Sequence, residues 1–199
     1  MRKVVVNIWT TLDGVVQAPS YPDEDTSGGF RYGGWHSPFM DDVSRASFLE
    51  SITTAGCYLF GRRTYEAFAS HWPTASEEEA PLAKPFNSLP KFVVSRTLTS
   101  PLAWNNSRLI DGDVVTAVAE LKDDSGGDVQ VFGSPTLVQF LLAHGLVDRL
   151  KVMIDPVVVG GGKRIFANDQ NRLAFSLVES QQLSTGALLA AYDLSHEGE

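Results

Sequence analysis

Cys57-Tyr58-Leu59-Phe60-Gly61-Arg62-Arg63-Thr64-Tyr65-Glu66-Ala67-Phe68-Ala69-Ser70-His71-Trp72, followed by Pro73, is the stretch from which the fold can be read. Its first four residues make the short apolar run of a buried strand. Gly61 permits a tight turn. Thr64 is placed to cap a helix, and Pro73 to end it. A strand, a turn and a helix in that order set two guanidinium groups and a hydroxyl at a helix N-terminus. Unpaired N–H groups and the helix dipole already favour an anion there. The turn Gly61-Arg62-Arg63-Thr64 is therefore expected to hold a phosphate.

The same rhythm continues on both sides. Val4 to Thr10 is rich in β-branched residues and reads as a first buried strand, with Asp13-Gly14 as the turn after it. Residues 17–38 carry too many prolines and glycines for any periodicity, and a loop this long is usually functional or mobile. Ser37-Pro38 suits the start of a helix from about Phe39 to Ala55, ended by Gly56. Ser76-Glu77-Glu78-Glu79 resembles a capping box, but Pro81 and Pro85 limit its helix to a short or broken piece. Lys91 to Ser95, Ser107 to Ile110, Asp128 to Phe132 and Arg149 to Ile154 read as strands. Helices are expected after Asp113 and from Leu137 to His144. Phe175 to Leu183 and Ala187 to Leu194 read as a hairpin around Ser184-Thr185-Gly186. Strands and helices that alternate and then give way to a hairpin predict an α/β fold: a three-layer α/β/α arrangement with a mostly parallel sheet and antiparallel strands at one edge. With no repeat and no linker in 199 residues, residues 1–199 read as a single domain.

Lys and Arg number 16 against 24 Asp and Glu, a formal charge of −8. Such a surface repels nucleic acid and anionic membranes, so any anion site must be a local basic patch. Cys57 is the one cysteine, which excludes an intrachain disulfide and fits a reducing compartment. The N-terminal apolar run is too short for a signal peptide, and no run reaches the roughly 20 residues that span a bilayer. The expectation is a cytoplasmic protein that takes a small molecule. His36, His71, His144 and His196 show no metal-ligand spacing, and no metal is expected.

Three strand-to-turn junctions carry anion-binding chemistry: Gly61-Arg62-Arg63-Thr64, Ser95-Arg96-Thr97 and Gly133-Ser134-Pro135-Thr136. Ligands of parallel α/β sheets bind outside the carboxyl ends of the strands, so the three are expected to converge on one ligand with several phosphates. Any one of them alone is a weak signal, since Gly-Arg at a turn is often only a turn with a solvated arginine.

Leu59 to Glu66, Lys91 to Leu98, Val131 to Leu137 and Pro156 to Phe166, together with Thr10-Thr11-Leu12-Asp13-Gly14, resemble the dihydrofolate reductase-like superfamily. The closer resemblance is to the branch that contains the reductase domain of riboflavin biosynthesis, the RibD C-terminal domain. It runs from Val4 to about Leu194. It implies an NADPH-dependent reductase that passes a hydride to a small planar heterocycle or carbonyl. By position, Gly61, Arg62, Arg63 and Thr64 would meet the adenine-side phosphates. Ser95 and Arg96 would meet the 2′-phosphate or the adenine, and Gly133, Ser134, Thr136 and Leu137 the pyrophosphate. A planar guanidinium fork matches a phosphate, so NADPH should be preferred to NADH. Two alternatives stand beside this reading: a free-standing riboflavin-pathway pyrimidine reductase, and a protein that binds or senses the nucleotide without turnover. The resemblance is also compatible with a homodimer.

The reduced group also needs a proton. Asp13, at the mouth of the first strand, is one candidate donor or else a turn-former. Asp41, with Asp42, is a second candidate or else complements a helix dipole. Trp35 either stacks on a planar substrate or pins its loop to the core. Gly160 to Gly162 either complete the nicotinamide side or form a turn, and Lys163 and Arg164 read as solvated.

Overall fold

The structure is a computed structural model that describes residues 1–166, 168–169 and 171–195. Among these, eight strands form one sheet: β1 (Val4–Thr11), β2 (Ala55–Gly61), β3 (Lys91–Val94), β4 (Ser107–Ile110), β5 (Asp128–Val131), β6 (Arg149–Asp155), β7 (Ala174–Gln182) and β8 (Leu188–Ser195). Five α-helices lie between them: α1 (Asp42–Thr53), α2 (Arg62–His71), α3 (Ala80–Ser88), α4 (Val114–Asp123) and α5 (Pro135–Ala143). The strand order is β4-β3-β2-β5-β1-β6-β8-β7. The first six are parallel, and β8 and β7 close the edge as an antiparallel hairpin. The α/β architecture expected from the alternation of strands and helices is the one that forms. His196 lies outside the described residues.

β2 shows why the chain folds this way. Cys57 and Leu59 face a core that contains Val118, Leu121, Leu137 and Leu141 of α4 and α5. Tyr58 and Phe60 face a second core built with Ile52, Tyr65 and Phe86 of α1, α2 and α3. A strand covered on both faces needs apolar residues at every position rather than at alternate ones. Its partner β5 approaches closely at one end. A Cβ on Gly56 would stand 2.1 Å from the Gly127 carbonyl oxygen, and one on Gly127 would stand 2.2 Å from that of Thr54. Gly56 thus belongs to the strand rather than to the end of the preceding helix.

That helix is shorter than the sequence suggests. Ser37–Phe39 is a separate 3-10 turn, and α1 begins only after Asp41. The Asp41 carboxylate accepts from Ser44 N at 3.0 Å, and the Ser44 hydroxyl lies 2.9 Å from Asp41 N, a reciprocal capping box. Asp113 caps α4 in the same way, accepting from Thr116 N at 2.8 Å. Thr64, expected as a cap, is instead the third residue of α2; Gly61 stands in the cap position without a side chain to offer. α3 runs through Pro85 despite the missing donor. Burial of Ala83 and Phe86 in the second core outweighs that loss.

Lys91 is fully buried at the start of β3. Its ammonium donates to the carbonyls of Phe86 at 2.6 Å and Leu89 at 2.9 Å, and sits 4.5 Å from the centre of the Trp104 ring. Burial pushes its pKa down to about 8. Below that pH both folded and unfolded chains hold the proton. Between it and the ordinary lysine value only the unfolded chain does, so stability rises with pH. The wild type is expected to gain on a Lys91→Met variant from pH 8 to 10, by up to roughly 1.4 kcal/mol per unit. Urea melts of both across that range check this, and a constant gap contradicts it.

No helix among the described residues is long and apolar enough to cross a membrane.

Candidate functional site

A cleft of about 1150 Å³ opens at the carboxyl ends of the parallel strands. Gly61, Arg62, Arg63, Thr64, Ser95, Arg96, Gly133, Ser134, Thr136 and Leu137 all line it. The three junctions follow β2, β3 and β5, and β5 lies next to β2 in the sheet, so register alone brings them to one place.

The junctions are fitted to each other through glycine. Gly61 N donates to Gly133 O at 3.1 Å. A Cβ on Gly61 would stand 2.1 Å from Ser134 Oγ, and one on Gly133 would stand 2.9 Å from Thr64 Oγ1. Gly133 also has φ +123°, which disfavours any side chain, and its peptide bond to Ser134 is cis. Neither α2 nor α5 has a side-chain cap, whereas α1 and α4 do. First-turn N–H groups of the two helices that border the cleft are thus left for water or a ligand. This donor set, with backbone free to approach closely, fits a phosphate-bearing group.

The arginines differ in how far they are committed. Arg62 makes a forked pair with Glu66 one turn on, at 3.1 and 2.9 Å. Arg63 lies 3.5 Å from the Asp25 carboxylate. Arg96 has no hydrogen-bond or ion-pair partner among the described residues. Lys163, read from sequence as solvated, lines the cleft and pairs closely with Asp25.

One wall of the cleft is aromatic. Trp9, Phe48 and Phe132 line it, with Trp9 and Phe48 rings 5.3 Å apart and Phe48 and Phe132 5.5 Å apart. Behind Trp9 lies a buried pair. The His36 ring stacks on Trp9 at 4.1 Å and meets the Asp155 carboxylate through Nδ1 at 2.7 Å. Burial pushes the Asp155 carboxyl up, opposed by the hydrogen bond from His36.

The candidate acids stand elsewhere. Asp13 is not among the cleft-lining residues. It accepts from Thr11 Oγ1 at 2.6 Å, Gly160 N at 2.9 Å and Val159 N at 3.3 Å. The Thr11 bond above all holds its carboxyl below the usual range, which suits a clasp better than a proton donor. Asp41 is also absent from the lining. Besides capping α1 it accepts from Ser184 N and Oγ, at 3.1 and 2.7 Å, and so ties the helix to the β7–β8 turn. Trp35 is buried among Val15, Ala18 and Phe30 and donates to Gln17 O at 2.8 Å, so it pins its loop. Sequence reasoning missed Trp9, Phe48, Phe132, Asp25 and Lys163. Trp9 was within reach, because the alternation of β1 sets it on the face opposite Ile8.

The family model of the RibD C-terminal domain matches residues 2–189. A Bacillus subtilis (strain 168) protein named YyaP is 27% identical over 194 residues, 96% of this chain and 94% of that one. A crystal structure of a putative riboflavin biosynthesis protein from Shewanella sp. PV-4 matches with TM-score 0.71 at 20% identity, covering 98% of this chain and all of that one. A pyrimidine reductase-like protein from Corynebacterium diphtheriae matches with TM-score 0.68 at 11% identity, covering 98% and 93%. The structural likenesses show the shared fold, and the family match extends from before β1 into β8. The chain belongs to the RibD C-terminal domain family, a family of oxidoreductases.

Proposed function

We propose that this protein is an NADPH-dependent reductase of a small planar heterocyclic or carbonyl substrate. The convergence of three phosphate-type junctions on one cleft that also has an aromatic wall carries this reading. NADPH would supply the hydride when bound. Gly133, Ser134, Thr136 and Leu137 would hold its pyrophosphate at the start of α5. Gly61, Arg62, Arg63 and Thr64 would hold the adenine-side phosphates at the start of α2, and Ser95 with Arg96 the 2′-phosphate. Trp9, Phe48 and Phe132 would orient a planar acceptor and keep water from it. In the sheet β1 is two strands from β2 and three from β3. At roughly 4.8 Å per strand that separates Trp9 from the strands that carry the arginines by about 10–14 Å, room for an extended dinucleotide between them.

Family membership favours a second, narrower reading, a pyrimidine reductase of riboflavin biosynthesis. Titration of NADPH and NADH, followed by nucleotide fluorescence, tests the cofactor. Tight NADPH and weak NADH binding is expected; equal weak binding, or none, sinks the proposal. NADPH consumption with a ribosylamino-pyrimidine phosphate, set against a panel of carbonyls, pterins and flavins, separates the two substrate readings. Tight NADPH binding with no consumption across the panel favours the sensing alternative.

A further inference from the structure

We propose that Arg63 and Lys163 form an anion subsite for a phosphoryl group, and that the Asp25 carboxylate is its internal occupant. The inference extends the reading of the cleft as a phosphate-binding site, and rests on it only for the source of the phosphoryl group. Arg63 is the second residue of α2, and Lys163 follows the glycine triplet after β6. Both line the cleft, and both cations face the same oxygen, Asp25 Oδ2. An oxygen shared between a guanidinium and an ammonium is the environment that a phosphoryl oxygen seeks. The Ser27 hydroxyl completes the cluster: it donates to Asp25 Oδ1 at 2.6 Å and accepts from Lys163 Nζ at 2.7 Å.

The commitments within the cluster are unequal. Lys163 is hydrogen-bonded to Asp25, but Arg63 stands at 3.5 Å, beyond good hydrogen-bond length, and is held only as an ion pair. The backbone beneath is anchored by Gln17 as well as by the carboxylate, whose Oδ1 accepts from Ser27 N at 3.1 Å. Buried Gln17 donates from Nε2 to Asp25 O and Ser27 O at 2.9 and 3.0 Å, and accepts from Lys163 N at 3.0 Å. Rotation of the Asp25 side chain therefore vacates the subsite at the loss of the bond from Ser27 N, while the Gln17 bonds still hold the loop and the Lys163 backbone. Burial works to raise the Asp25 carboxyl, but the bonds from Lys163 and Ser27 outweigh it. The group is an anion at neutral pH and competes with an incoming phosphoryl group for both cations. The phosphoryl group has two sources: the pyrophosphate of a dinucleotide, or a phosphate carried by the substrate.

The test titrates inorganic pyrophosphate, ribose 5-phosphate and NADPH by calorimetry into the wild type, Asp25→Asn and Lys163→Met, with melting curves to confirm folding. Asp25→Asn is expected to bind its phosphoryl probe about fivefold tighter, and Lys163→Met about fivefold weaker, the range of charge coupling at a half-exposed site. If Asp25→Asn does not fold, Lys163→Met decides alone. Gain by pyrophosphate and NADPH together assigns the subsite to the dinucleotide; gain by ribose 5-phosphate alone assigns it to the substrate. A folded Asp25→Asn with no tighter binding of any probe, or a Lys163→Met with no weaker binding, overturns the subsite. If NADPH then still binds, the cofactor reading stands without it. If NADPH binds none of the proteins while the expected changes hold for an inorganic or sugar phosphate, the subsite stands and the cofactor reading falls.

Discussion

Arg96→Ala is expected to weaken NADPH binding by roughly ten- to a hundredfold and to leave NADH binding nearly unchanged, the loss of one charged hydrogen-bonding partner worth about 1.5–3 kcal/mol. The expectation rests on the contacts each arginine already makes. Arg62 is forked onto Glu66, and Arg63 is shared with Asp25, so a phosphate must compete for either. Arg96 is exposed beside the cleft and has no competing carboxylate contact among the described residues. Its full charge is available to a 2′-phosphate. Arg62→Ala should cost less, because the wild-type guanidinium must leave Glu66 to bind. Parallel NADPH and NADH titrations of the two variants measure the ranking. Equal losses of both nucleotides in Arg96→Ala would place that arginine at the adenine or pyrophosphate rather than at the 2′ position.

Phe86→Ala is expected to cost about 3–5 kcal/mol of stability, the range for removing a buried aromatic ring. Phe86 has no exposed surface, and its ring lies 4.8 Å from those of Tyr58 and Trp72 and 5.2 Å from that of Phe68. For a chain of this size the melting temperature should fall on the order of 10 °C. The damage reaches the cleft, because Phe132 lies 5.8 Å from the same ring and lines the aromatic wall. Urea melts give the stability change, and nucleotide titration of the folded fraction gives the effect on the cleft. A fall of less than about 3 °C would mean that the helix through Pro85 is held by something other than this ring cluster.

The parallel sheet was legible because its strands are buried on both faces and spell themselves out as apolar runs, β2 above all. The junctions that line the cleft were legible because each is local: Gly61, Arg62 and the start of α2 are neighbours in sequence, as are Gly133 and the start of α5, and Ser95 and Arg96. What was not legible depends on pairs far apart in the chain. Asp25 and Lys163 are separated by 138 positions, and nothing within either segment marks the other. The contacts of the candidate acids were hidden for a related reason. Asp13 and Asp41 sit at turn and cap positions that suit either chemistry or structure, and their partners, Gly160 and Ser184, lie more than 140 positions away. Trp35 is the more visible of two tryptophans near the first turn, but its indole N–H finds Gln17 O and buries the ring. Trp9 inherits the place at the cleft because its strand, not a loop, fixes where it points.

The contact between Gly56 and Gly127 lies at the opposite end of β2 and β5 from the cleft. It is also where the pairing of the two strands shifts register, between Ala55 and Cys57. Beyond that irregularity the strands run in step, Cys57 beside Val129 and Leu59 beside Val131, until Gly61 N reaches Gly133 O. A slip of one residue would turn Tyr58 and Phe60 toward the wrong layer, so the core forbids it. The offset chosen by two glycines far from any ligand is thus carried unchanged along the strands to the cleft. There it sets which backbone atom of the Gly61 junction faces which of the Gly133 junction. A side chain at Gly56 or Gly127 would meet a backbone carbonyl oxygen at little more than 2 Å, and with the register held by the core it could only force the two strands apart at that end.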